Sequence, residues 1–147
     1  MTIRNTSRYR TEHVRALVLF AARAMLVQAY DPLRVRVTAC GRPYVGEARV
    51  WSVSIGIGGP EHFPHLGDRM VRGAPRVLHV DWQEALVATA AHEFAHVRQA
   101  TRWLASQTRA ALEVADGVPV SAYDEVEAER AARAALVVFR GERRRAA

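Results

Sequence analysis

The chain has 147 residues, 50% hydrophobic and 24% charged, which suits one globular domain with its own core and excludes a disordered or fibrous segment. A single cysteine, Cys40, excludes an internal disulfide and a multi-thiolate metal site, and points to a reducing compartment. The net charge of +6 and the pI of about 10.6 raise the question of a nucleic-acid partner, taken up below.

In chain order, residues 1–10 are polar and basic, without the apolar core and cleavage site of a secretory leader, so a cytoplasmic protein is expected. Residues 11 to about 29 place Val14, Leu17, Val18, Ala21 and Met25 on one helical face, and Asp31-Pro32 closes the segment. Arg15, Arg23 and Gln28 interrupt its apolar run and rule out a membrane span. Residues 33–40 and 48–57 alternate as half-buried strands do, with Gly41-Arg42-Pro43 as the turn between them. Residues 56–75, rich in Gly and Pro, read as an exposed connection in which His62 and His65 are incidental; a flap over a cleft is the alternative. No Gly-Lys-Ser/Thr follows, so this is not a phosphate loop. Residues 76–81 read as a third strand, and its His79 as a packed or surface side chain. The expected architecture is α+β: an N-terminal helix, a small three-stranded and mainly antiparallel sheet, then two helices. It forms a single domain over 1–147, with basic flexible ends at about 1–10 and 142–147.

The chemistry concentrates in His92-Glu93-Phe94-Ala95-His96. Asp81 with Glu84 forms a capping box, and residues 82 to about 106 contain neither Gly nor Pro, so the motif sits inside a long helix. Residues four apart share a helical face, so both imidazoles can converge on one metal ion while Glu93 reaches a water bound to it. Leu86, Ala90, Glu93 and Val97 form a stripe that is apolar except for the carboxylate. A carboxylate left on an inward stripe costs several kcal/mol unless something partners it, and a metal with its water would do so.

Two histidines need a third protein ligand. Gln99 and Arg102 stand where a metzincin has Gly and His, which excludes that class. A second helix is expected from about 122 to 140, with Ser121 and Asp124 as its capping box and Gly141 as its end. Its apolar set of Ala128, Ala131, Ala135, Val138 and Phe139 puts Glu127 at the border of the packed face, so Glu127 is the expected third ligand; Glu125, Asp124 and Asp116 are the alternatives.

These residues resemble the gluzincin metallopeptidases, in which the ligand Glu, commonly followed by Ala, lies on the helix after the active-site helix. Glu127-Ala128 matches, and the compact form is similar to the minimal zinc peptidases of bacteria and phages. Ala131 stands where larger gluzincins carry an Asp, and no His follows His96 as SprT-like proteases require. The resemblance implies a zincin-like fold, bound Zn2+ and hydrolysis of a peptide or protein substrate. It also implies a strand that holds substrate by edge pairing, either residues 77–80 or residues 51–57. The expected roles are His92, His96 and Glu127 as ligands and Glu93 as general base, with zinc lowering the pKa of bound water toward about 7. Tyr123 is a candidate oxyanion donor or simply a packed residue at the helix start.

All 21 basic residues are Arg, mostly dispersed, which is the mark of a GC-rich coding sequence. Only Arg4, Arg8, Arg10 and Arg143, Arg144, Arg145 cluster. A solvated surface is therefore expected ahead of nucleic-acid binding, and no membrane partner is expected. The rival functions are a zincin-like binding module without turnover and a DNA-associated protease using the Arg-rich ends.

Overall fold

The computed structural model describes residues 1–63, 81–114 and 117–147. Its elements are β1 (Thr2–Thr6), α1 (Thr11–Ala24), β2 (Arg34–Ala39), β3 (Tyr44–Arg49), β4 (Ser52–Ile57), α2 (Trp82–Ser106), α3 (Arg109–Val114) and α4 (Glu125–Ala146). Short 3-10 turns cover Pro60–His62 and Val120–Ala122. The class is α+β, as expected.

The sheet differs from the expectation. It has four strands in the order β1-β2-β4-β3 and is mixed: β1 runs parallel to β2, β2 parallel to β4, and β3 antiparallel to β4. The basic start of the chain is a strand rather than a loose end, because its backbone pairs with β2 from Thr2 opposite Arg34 to Thr6 opposite Thr38. Such pairing is non-local, and a strand whose inward residues are only Ile3 and Asn5 leaves little periodic signal. The expected strand over 48–57 is two strands turned at Val50-Trp51, with Arg49 paired to Ser52. Gly41-Arg42-Pro43 therefore does not close a hairpin; it leads the chain past β4 to the sheet edge. The proposed strand over 76–81 lies, up to residue 80, outside the described residues, as do His65 and His79.

Alternation does place the core correctly. Val35, Val37, Val53 and Ile55 are buried beneath α1 and α2, while Arg34 and Arg36 face outward. Helix α1 ends at Ala24, short of residue 29, because Leu26 takes a left-handed φ of 58°. Val27 N–H then reaches back to Ala22 O and Leu26 N–H to Arg23 O, a Schellman closure that normally uses glycine. Asp81 caps α2 as expected, its side chain accepting from Glu84 N–H. For α4 the cap is Asp124, which accepts from Glu127 N–H, and not Ser121. The helix runs through Gly141 to Ala146, since a glycine ends a helix only when it adopts positive φ and this one does not. The basic residues 143–145 are thus helical.

Helix α2 is the hub, packed against α1, α4, β3 and β4. Its start is held by Tyr9, whose ring stacks on Trp82 at 3.8 Å and whose hydroxyl donates to Gly58 O at 2.6 Å. Helix α4 lies antiparallel along it: Asp81 and Glu84 meet Arg143 and Arg140, while Gln99 and Arg102 meet Asp124 and Glu127. Among the described residues, no helix is long and apolar enough to cross a membrane.

Candidate metal centre

The middle of α2 carries His92, Glu93 and His96 where the helical period puts them. Leu86, Ala90 and Val97 are fully buried and Glu93 is 6% exposed, so the carboxylate does lie on an apolar stripe. What lies above it is β3. A Cβ on Gly46 would sit 2.3 Å from Glu93 Oε1, so only glycine lets the edge strand pass directly over this carboxylate. Burial raises the Glu93 pKa to about 7; Glu125 and Glu47 push the same way and His96 opposes them. Burial also lowers the pKa of His92, helped by His96, against Glu125 and Glu129. The shift favours the neutral imidazole, the form that a metal requires.

The two Nε2 atoms are 3.2 Å apart. Each is 3.0 Å from a carboxylate oxygen of Glu125, Oε2 for His92 and Oε1 for His96. His92, His96 and Glu125 thus offer three donor atoms to one point. Tetrahedral zinc with bonds of about 2.0–2.1 Å needs its ligands roughly 3.3 Å apart, so the spacing and the N,N,O donor set fit a divalent cation.

The third side chain is therefore not the one expected. Glu127 points away from the imidazoles: its carboxylate accepts from Gln99 Nε2 at 2.9 Å and from Arg102 at 2.9 and 3.0 Å. Those donors, Gln99 foremost, hold its pKa below the usual carboxylate value. Residues two apart on a helix are about 200° apart around the axis, so Glu125 and Glu127 cannot serve the same site. Glu125 and Glu129, four apart, share a face, and Glu129 Oε1 lies 3.4 Å from His92 Nδ1. The buried face of α4 is Ala128, Ala132, Ala135, Leu136 and Phe139. Ala131 packs partly buried beside this face, as expected, whereas Val138 is 51% exposed. Asp124 is committed to its cap, and Asp116 lies outside the described residues.

The residue that sequence reading missed is Gln99, 4% exposed. Its Nε2 donates to Asp124 O at 3.0 Å and its Oε1 accepts from Asp124 N–H at 2.9 Å, so the amide cannot be turned over. The same Oε1 lies 2.8 Å from His96 Nδ1. Nδ1 must then carry the proton and donate, which leaves the His96 Nε2 lone pair for a metal. One amide fixes both the tautomer and the start of α4. The available signal was a buried polar residue three positions after a histidine on the same helix.

Two cavities meet at this cluster. One, of about 400 Å³, is lined by Tyr44, Val45 and Gly46 of β3 with Thr89 of α2 and Glu129 of α4. The other, of about 380 Å³, is lined by Gly46, Glu47 and Ala48 with Val120 and Tyr123. His92, Glu93 and Glu125 border both, so one cleft follows β3 across the site. Tyr123 sets its ring edge-on to His96, 5.5 Å between centroids. Thr89 Oγ1 is buried and has no hydrogen-bond partner. His62 lies in a 3-10 turn beside Glu61 and lines neither cavity.

No family model, curated protein or solved structure matches the chain.

Proposed function

We propose that this chain is a metal-dependent peptidase in which His92, His96 and Glu125 hold a divalent cation and Glu93 is the general base. The observation that carries the reading is the meeting of two Nε2 atoms and one carboxylate within 3.2 Å, beside a buried carboxyl group whose pKa stands near 7. Two imidazoles with a carboxylate suit zinc among the available metals. A bound zinc would supply an acidified water and a Lewis acid for the scissile carbonyl. Glu93 would take the proton of the attacking water and return it to the leaving amine. Its position beneath Gly46 keeps that carboxylate away from bulk solvent and aimed at the cleft.

The substrate strand would lie along β3. Residues 51–57, one of the two segments expected to serve, belong mostly to β4, which is paired on both sides and has no open edge. Strand β3 pairs with β4 alone among the described residues, and its length borders the cleft. An extended peptide added to that edge would run past the cluster with its backbone held by main-chain hydrogen bonds. Residues 77–80 lie outside the described residues.

The test is metal content by mass spectrometry together with hydrolysis of an unfolded protein by wild type and Glu93→Gln. The variant should keep its metal and lose activity by about 10²-fold or more. Full activity in the variant, or equal activity after exhaustive chelation, would refute the assignment. Metal bound without hydrolysis of any peptide would instead favour a binding module.

A further inference from the structure

The helices cover one face of the sheet, and the other face is lined mostly by arginines and hydroxyls; its row Thr6, Thr38, Gly56, Val45 ends on an exposed valine at the β3 edge. Two further rows of outward side chains cross it. One runs Thr2, Arg34, Ser52, Arg49; the other runs Arg4, Arg36, Ser54, Glu47. Together they line a groove of about 570 Å³ on the side remote from α2. Glu47 pairs with Arg49 at 3.4 Å. Among the described residues no carboxylate comes within ion-pair distance of Arg4, Arg34 or Arg36, and all three are exposed.

The register makes this arrangement unfavourable on its own. Arg4 stands directly opposite Arg36 on the neighbouring strand, about 4.8 Å away at the backbone, and Arg34 follows on the same face about 6.6 Å along β2. Like charges directly opposite destabilise a strand pair. A bound polyanion would turn that repulsion into attraction.

We infer that this face binds the phosphate backbone of a nucleic acid without reading its sequence. Guanidinium forks suit phosphate oxygens, and serine and threonine hydroxyls are the usual accompaniment in such contacts. The face lacks the apolar centre that a protein partner would bury and the inserted apolar side chains that a lipid surface would take up. The terminal clusters considered from sequence do not form this site: Arg8 is turned to Glu61 and Arg143 to Asp81, and only Arg4 joins the patch.

The experiment measures binding of labelled single-stranded and duplex DNA of mixed sequence by fluorescence anisotropy across a salt series. It uses the full chain carrying Glu93→Gln in chelator, so the result does not depend on the peptidase reading. Arg4→Gln/Arg34→Gln/Arg36→Gln should bind on the order of tenfold or more weaker, and its log–log salt slope should fall by about 2–3. A control with equal charge loss on α4, Arg130→Gln/Arg144→Gln/Arg145→Gln, should bind nearly as wild type. Circular dichroism and thermal melts establish that both variants fold. Equal losses in the two variants, no DNA binding at low salt, or equal retention on polyglutamate or anionic phosphatidylserine vesicles would each overturn the inference.

Discussion

The antiparallel pair α2 and α4 is tied at both ends, and the two ties differ in chemistry. At one end Arg140 and Arg143 of α4 reach Glu84 and Asp81 in the first turn of α2; Glu84 is 1% exposed. At the other end a neutral amide, Gln99, grips both backbone groups of Asp124. The charged end offsets the cost of a buried carboxylate and so belongs to stability. The amide end sets where α4 begins, which way Glu125 faces and which nitrogen of His96 carries a proton. The candidate metal centre lies between them and depends far more on the second tie than on the first.

The strongest break in this comparison is at the proposed ligand itself. Glu125→Ala should abolish metal retention after dialysis, while Glu127→Ala should keep the metal, both read by mass spectrometry. The reverse pattern would return the ligand role to Glu127. Next comes Arg140→Met, which removes the guanidinium facing Glu84. It should lower stability by about 3 kcal/mol in urea unfolding with an unchanged slope, yet leave metal affinity near wild type. Gln99→Leu should show the opposite profile. A loss of about 10–100-fold in metal affinity is expected from the freed His96 ring and the displaced start of α4, measured by competition with a chromogenic chelator. If Arg140→Met lowers metal affinity as much as Gln99→Leu does, the two ends are not separable.

The smallest effect concerns pH. The Glu127 pKa is lowered by Gln99 and Arg102, so its contribution is present above the ordinary carboxylate pKa and disappears as pH falls through the lowered value. The group is half exposed, and the gain should stay below about 1 kcal/mol. Melts of metal-free wild type and Glu127→Gln should therefore differ slightly at neutral pH and converge in acid. A gap that widens in acid would contradict the sign.

What the order of residues determined alone is whatever a single helix or strand decides locally. The 3.6-residue period put His92, Glu93 and His96 on adjoining strips of α2, Asp81 capped that helix, and the alternation in β2 and β4 separated Val35 and Ile55 from Arg36 and Ser54. Tertiary structure decided everything that needs a partner element. The pairing of β1 with β2, the glycine that lets β3 cross Glu93, and the choice of Glu125 over Glu127 each depend on how one element is rotated or registered against another. A rotation of α4 by about 200° changes none of its own hydrogen bonds, yet it would exchange which carboxylate meets the two imidazoles.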